Sequence, residues 1–253
     1  MKRTPIGAST LVLVTLLALG ACGSEPTTET PQAKGSTPEP CASGGGNAAI
    51  DWTDFIRLDG ITYQSNYYEK GVEKPDVGEP VAEVRCKISD VVSDPEYDIR
   101  DGDAAYLEPG TTIYSVRGYP SWFRIAAFRE GQWLLYEPDT HPRAEVGAEL
   151  LDLEGRIRYI GINSSSNGTK ELVRIDDPKE VDRLVEMVLS APVDQETRYS
   201  DADLGDQVFI EFGFDDGTRS IRAFGPDSGQ LARGIMTPPE FAEAVEMALQ
   251  QRS

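Results

Sequence analysis

Residues 177–189 read DPKEVDRLVEMVL, and residues 237–249 read TPPEFAEAVEMAL. Pro178, Glu180, Val185, Glu186, Met187 and Leu189 return as Pro238, Glu240, Val245, Glu246, Met247 and Leu249, at a constant offset of 60. Each block predicts an amphipathic helix. Val181, Leu184, Val185, Val188 and Leu189 share one stripe, and Phe241, Ala244, Val245, Ala248 and Leu249 share the other. Asp177 and Thr237 stand as N-caps, with proline at the first helical position and glutamate at the third, which is a capping-box pattern.

The stretches before the two helices also correspond. Leu150–Leu153, a Glu154-Gly155 turn and Arg156–Ile162 predict one hairpin. Val208–Phe214, an Asp216-Gly217 turn and Arg219–Phe224 predict another. Glu171–Ile175 and Gln230–Ile235 then lead into the helices. A helix with one apolar stripe needs a sheet to bury it. Residues 141–253 are therefore expected to form a duplicated α+β domain. Its two hairpin-strand-helix repeats share one antiparallel sheet, with both helices on the same side.

Residues 48–140 have a different texture. Trp52, Phe55, Ile56 and Leu58 run into Asp59-Gly60, a type I′ turn pair, and Ile61 and Tyr63 follow. Val81–Val92 predicts a strand with Val84, Cys86 and Ile88 on one face, after a loop at 71–80. From Ala104 to Tyr136, short apolar runs alternate with turns at Glu108-Pro109-Gly110, Gly118–Ser121 and Glu130-Gly131. That spacing predicts a β-rich domain, either a small barrel or a bent antiparallel sheet. The pattern Leu107, Gly110, Thr111, Ile113, Tyr114, Val116, Trp122, Arg124, Ile125, Gly131 and Trp133 resembles the bacterial SH3-like barrels. The resemblance implies a role in binding cell-wall peptides and carries over no ligand residue. The run from Asp101-Gly102-Asp103-Ala104-Ala105-Tyr106 onward resembles uncharacterised lipoproteins of Gram-positive bacteria, which implies no function.

The N-terminal residues set the expected location. Lys2 and Arg3 precede an apolar run, Ala8–Leu19, and the small residues Gly20 and Ala21 precede Cys22. These are the three zones of a secretory signal, and the apolar run is short for a bilayer span. Leu19-Gly20-Ala21-Cys22 resembles the lipobox of bacterial lipoproteins. The resemblance implies that residues 1–21 are removed and that Cys22 carries the lipid, anchoring the chain to the outer face of the cell membrane. Two or three acyl chains, at about 0.8 kcal/mol per buried CH₂, hold such a chain stably. Gly23 follows the cysteine, so no acidic retention signal is evident. Residues 22–47 are Gly, Ser, Thr, Pro and Glu with few aliphatics, and they read as a disordered tether. Cys41 and Cys86 are the two cysteines left, and in an oxidising compartment they are expected to pair.

The formal net charge of the chain is −19, and loss of Lys2 and Arg3 with the signal takes the mature chain to −21. That balance excludes a nucleic-acid footprint. It also opposes lying flat on anionic lipid. Catalytic motifs are missing from the sequence. There is one histidine, His141, beside Pro142, and no GxSxG, HExxH, P-loop or GxGxxG occurs. The expectation is a non-catalytic binding or accessory protein for an envelope partner or wall polymer, with no cofactor. Two alternatives stand beside it: a glycan hydrolase working through carboxylates alone, and an inhibitor or immunity-type protein. Asp98, Asp101 and Asp103 are the weak candidates for a hard cation, against a solvated acidic loop. Adjacent aromatics near turns, Tyr67, Tyr68, Tyr119, Trp122 and Phe123, are the candidate binding residues, against simple core packing. The sequons at Asn163 and Asn167 are read as inconsequential in a bacterium.

Overall fold

The computed structural model describes Cys41, residues 49–65, residues 76–195 except Asn167, and residues 207–251 except Arg233. Residues 1–40, with the expected signal, Cys22 and most of the expected tether, lie outside the described residues, as do Tyr67 and Tyr68. Pro38–Ser253 form one compact unit, built on two sheets.

The first sheet begins with a hairpin of β1 (Phe55–Leu58) and β2 (Ile61–Ser65). Asp59 and Gly60 both take positive φ, 51° and 78°, so the turn is left-handed and matches the strand twist. The remaining strands are β3 (Val77–Glu83), β4 (Cys86–Lys87), β5 (Asp103–Ala104), β6 (Thr112–Val116), β7 (Ile125–Arg129) and β8 (Gln132–Thr140). Their order is β3-β6-β7-β8-β2-β1-β5-β4. β6, β7 and β8 form the meander expected from the turns, with Glu130-Gly131 closing β7 onto β8 at Arg129↔Gln132. The sheet is curled around a core of Ile56, Ile61, Tyr63, Val84, Ile113, Ile125 and Tyr136.

The expected strand Val81–Val92 is broken. β3 starts at Val77, inside the stretch read as loop, and pairs with β6. At Val84 the chain crosses to the opposite edge, where β4 pairs in parallel with β5. The Gly110 amide donates to the Val84 carbonyl at 2.9 Å, and the Cys86 amide to the Gly102 carbonyl at 3.3 Å, so the step draws the two edges together. Val84, Cys86 and Ile88 are all buried, as their alternation predicts, but Ile88 opens a 3-10 turn. Cys41 and Cys86 form a disulfide with their Cα atoms 5.4 Å apart. It closes over Phe55, Ile88, Val92 and Ala105.

The second sheet comprises β9 (Ile157–Asn163), β10 (Glu171–Ile175), β11 (Val208–Phe214), β12 (Arg219–Gly225), β13 (Gln230–Leu231) and β14 (Ile235–Met236). It is antiparallel, in the order β10-β9-β11-β12-β13-β14. Helices α1 (Pro178–Ser190) and α2 (Pro239–Gln250) bury their apolar stripes in one core with Ile160, Ile162, Ile210, Phe212 and Phe224. The register places those five on one face, so both helices cover the same side, and the molecule is α+β. Phe224 meets Phe241 edge-on at 5.2 Å. Each such side chain, fully buried, contributes about 1.5–3 kcal/mol.

Two details differ from the expected repeat. Leu150–Leu153 do not form a strand. A 3-10 turn at Gly147–Glu149 drops Leu150, Leu151 and Leu153 into the core instead. The Gly147 amide donates to the Ala191 carbonyl at 2.9 Å, and a Cβ there would collide with the Val188 carbonyl. The turn packs on the end of α1, and both edges of β9 are taken by β10 and β11, so Leu150–Leu153 has no place beside it. The sixty-residue correspondence holds for β9, β10 and α1 against β12, the β13–β14 pair and α2, and β11 lies between the two sets. The second difference is the cap of α2. Asp177 caps α1 as expected, accepting from the Glu180 amide at 3.0 Å. Glu180 does not complete a capping box, because its carboxylate takes both Arg183 Nε and NH2. α2 begins one residue later than expected, at Pro239, with Pro238 as the N-cap. Thr237 Oγ1 donates to the Gly229 carbonyl at 2.7 Å and caps nothing.

Candidate functional site

The face of β7 and β8 that looks away from the barrel core changes character along its length. In line with β7 lie Arg124, Ala126 and Phe128; on β8 lie Glu137, Leu135 and Trp133, paired by Ala126↔Leu135 and Phe128↔Trp133. One end is sealed against the second sheet. The other is open.

At the sealed end Arg124 is fully buried, and so is Glu137 at 1 % exposure. Arg124 Nε donates to Glu137 Oε1 at 2.8 Å, and its NH2 lies 2.7 Å from the same oxygen. From the second sheet, Ser220 Oγ and Arg222 NH2 donate to Glu137 Oε2 at 2.7 and 2.8 Å. Arg124 NH1 donates to Thr218 Oγ1 at 2.7 Å, and the guanidinium lies over Phe214 at 4.0 Å and Tyr119 at 4.4 Å. Burial alone pushes the Glu137 carboxyl up. The Arg124 and Arg222 charges and the Ser220 hydroxyl outweigh it and hold the group below the usual carboxylate range. Asp216 behaves alike. Burial raises it, but the Thr218 hydroxyl and amide and the Tyr119 hydroxyl bring it down. A carboxylate held ionised between two guanidiniums is a poor acid or base. This node fixes one sheet against the other.

At the open end, Tyr114, Trp133 and Phe128 make a ladder of rings. Tyr114 meets Trp133 at 5.6 Å and 73°, and Phe128 meets Trp133 at 5.4 Å and 59°. Phe128 is 50 % exposed, one residue before the end of β7, after three buried residues. Beside the ladder on the same face, Val116, Ala126 and Leu135 form a small buried cluster against which Trp133 packs. Ring edges and faces held in this way make a stacking surface.

The second sheet carries a polar patch on the face opposite its helices. Glu211 of β11, 3 % exposed, accepts from the Tyr159 hydroxyl at 2.7 Å, from Asn163 Nδ2 at 2.9 Å and from Arg219 NH1 at 3.5 Å. Tyr159 lies over Gly213, where a Cβ would collide with its ring, and Arg174 stacks on the other side at 3.6 Å. Burial, with the bond to Glu211 adding to it, pushes the Tyr159 phenol up to about 12.

The residues singled out in the sequence fall in several places. Phe123 is fully buried, and Tyr119 and Trp122 are half-buried against the same core, so these three pack where the two sheets meet. Asp98, Asp101 and Asp103 do not converge. Asp103 is buried and accepts from the Tyr97 hydroxyl and the Arg100 amide. Asp101 accepts from the Gly60 amide, and Asp98 is exposed. Among the described residues no group of three or more His, Cys, Asp or Glu could hold a metal ion. His141 is half-buried, and its Nδ1 accepts from the Arg143 amide at 3.2 Å, so Nε2 carries the proton of the neutral ring. Burial lowers its pKa. Asp54, paired to Arg129 at 2.9 Å and bonded by the Tyr136 hydroxyl at 3.2 Å, is still raised by its burial. Among the described residues no helix is long and apolar enough to cross a membrane. The disulfide fits an oxidising, extracytoplasmic compartment.

Arg124, Tyr114 and Trp133 entered the sequence reading only as part of the SH3-like pattern, and none of Arg124, Glu137, Glu211 or the Tyr114–Trp133–Phe128 ladder was a candidate site residue. The signal for the three charged residues is a single charge inside an apolar run, as in Trp122–Phe128 and Val208–Phe214. Comparison of the chain with known protein families, curated proteins and solved structures returned no match in any of the three.

Proposed function

We propose that this protein is a lipid-anchored, extracytoplasmic binding protein that engages an envelope partner through the aromatic ladder and performs no chemistry of its own. The observation that carries the reading is the half-exposed Phe128, in ring contact with Trp133 and through it with Tyr114. Three rings in contiguous contact, one of them half-exposed, make the kind of apolar surface patch that marks an interaction site. The Arg124–Glu137 node supports the reading, since it fixes the sheet that carries the ladder. The partner's contact surface is neutral or basic, because a mature chain of net charge −21 repels an anionic polymer. About nineteen residues between Cys22 and Cys41 give a typical reach of roughly 25 Å, so the body works within a few tens of ångströms of the membrane.

The test is photo-crosslinking in the producing cells. A photoreactive phenylalanine analogue replaces Phe128 in one strain and Met247 in another, Met247 being the comparably exposed side chain on α2 at 54 %. A discrete adduct from position 128 and none from 247 supports the ladder as the docking surface. Equal adducts, or none from position 128, refute it.

A further inference from the structure

The open face that carries the ladder continues onto the edge strand β3 and gains a sign of charge there. Ala82 packs on the barrel core, so its neighbours Val81 and Glu83 turn to the outer face. Val81 is 43 % exposed, and with Phe128 it places two exposed large apolar side chains on one face. Glu83 pairs with Thr112 of β6. The pair Ile113↔Ala127 puts Thr112 in line with Phe128, which pairs with Trp133. One row across four strands therefore reads Glu83, Thr112, Phe128, Trp133. At two strand spacings, the backbone of Glu83 stands about 10 Å from that of Phe128. Glu130 is exposed in the turn just beyond the Arg129↔Gln132 pair, at the other end of the rings.

The charges that are open on this face are of one kind. Among the described residues, Glu83 and Glu130 are exposed and enter no ion pair or side-chain hydrogen bond. The nearby cations are matched already. Arg129 alternates to the other face and is held by Asp54 at 2.9 Å. Arg117, past the end of β6, pairs with Asp76 at 3.2 Å, and Arg124 at the sealed end pairs with Glu137. An apolar patch rimmed by unpaired carboxylates selects its partner by sign.

That sign narrows the occupant. A second copy of this acidic chain, or any anionic polymer, is repelled. An extended peptide with a basic side chain suits the row. One apolar residue rests on Phe128 and Trp133. A guanidinium or ammonium two residues along, about 7 Å away in an extended chain, reaches Glu83. The half-exposed Phe128 ring also offers its face to the cation.

We propose that the row of Glu83, Thr112, Phe128 and Trp133 docks a basic, extended segment of a protein partner, with the rings taking an apolar side chain and Glu83 and Glu130 taking the cations. The proposal rests on the ladder being the binding surface, and adds to it the partner's class and the residues that set its charge preference.

The test selects a random peptide library displayed on phage against the immobilised mature chain, with the Phe128→Ser chain as the counter-selection. Enriched sequences rich in arginine or lysine, set among apolar residues, are expected. A synthetic peptide of that consensus should bind a Glu83→Gln, Glu130→Gln variant about three- to tenfold more weakly, and with less salt dependence. Both carboxylates stand in water, and an unchanged Tm verifies the fold of the variant. Equal binding by that variant overturns the proposal. A neutral or acidic consensus that still needs Phe128 overturns it too and leaves the ladder reading standing, as does Phe128-dependent binding of chitotetraose, titrated alongside, in place of peptide. No enrichment over the counter-selection also overturns the proposal, and the ladder reading is then decided by the crosslink at position 128.

Discussion

Replacing Glu137 by glutamine keeps the shape of the side chain and removes its charge. The wild-type carboxylate receives Arg124 Nε, Ser220 Oγ and Arg222 NH2 within 2.8 Å, with Arg124 NH2 at 2.7 Å. Glutamine keeps one acceptor oxygen and turns an NH₂ donor toward other donors. Arg124, fully buried, is left with only the longer pairing of its NH1 to Asp216 Oδ2 at 3.9 Å. Removing one partner of a buried pair costs about 3–5 kcal/mol, because the surviving charge stays desolvated. For a folded part of this size, 1 kcal/mol moves Tm by roughly 2–4 °C. The expected fall is therefore roughly 6–20 °C in a thermal melt followed by circular dichroism. Adding Arg124→Met removes the stranded charge, so the double variant should be more stable than the sum of the single losses predicts, by about 1 kcal/mol or more. A Glu137→Gln loss below about 1 kcal/mol, or strict additivity, would show that Arg124 and Glu137 do not act as a coupled buried pair.

The same carboxylate gives a pH signature. Its folded pKa lies below the ordinary 4.5, so its stabilisation is present above that value and is lost as pH falls through the folded value. Acid unfolding should be visibly shallower in Glu137→Gln, and an unchanged acid limb would contradict the assignment. Asp54 acts in the opposite sense. Its folded pKa is raised, so its contribution is full at low pH and fades as pH rises through the folded value. Reduction of Cys41–Cys86, a separation of 45 residues, should cost up to about 4 kcal/mol through loop entropy. A Tm unmoved by reductant would show that the clip is idle. Asp177→Ala should cost about 1 kcal/mol by freeing the Glu180 amide, read by urea denaturation, and a loss within error would discount that cap. The intact mass of the protein from the membrane fraction should show an acylated N-terminal Cys22. An unmodified cysteine, or cleavage elsewhere, rules out the anchor.

Much of the architecture follows from local chemistry that the chain displays openly. Asp59-Gly60 and Glu130-Gly131 supply the positive φ that a tight hairpin needs, and both turns form. The apolar stripes of α1 and α2 fix which faces are buried. Where the reading failed, a neighbour distant in sequence or a single backbone constraint decided the matter. Leu150–Leu153 looks like a strand, but β10 and β11 fill both positions beside β9, and only tertiary contact reveals that. Pro238 precedes Pro239, which drives residue 238 to extended geometry and pushes the helix start one residue on. Thr237 then has no helical amide within reach.

The buried charges were harder to read for one reason. Strand alternation tells which residues share a face, and a charge in a strand is ordinarily assigned to water. Here the outer face of β7 and β8 is itself covered at one end, so Arg124 and Glu137 lie between two sheets. The exposed end of that same face bears Phe128 and Trp133, which alternation alone cannot tell from core residues. Asn163 sits within a sequon yet is fully buried, so its sequence context says little about its role.

The most direct test of the binding reading compares the wild-type acylated protein with a Phe128→Ser, Trp133→Ser variant in binding to envelopes isolated from the producing cells. Variant binding at least tenfold weaker, with Tm within a few degrees of wild type, is the expected result. Equal binding by the two proteins would contradict the assignment of the ladder as the functional surface.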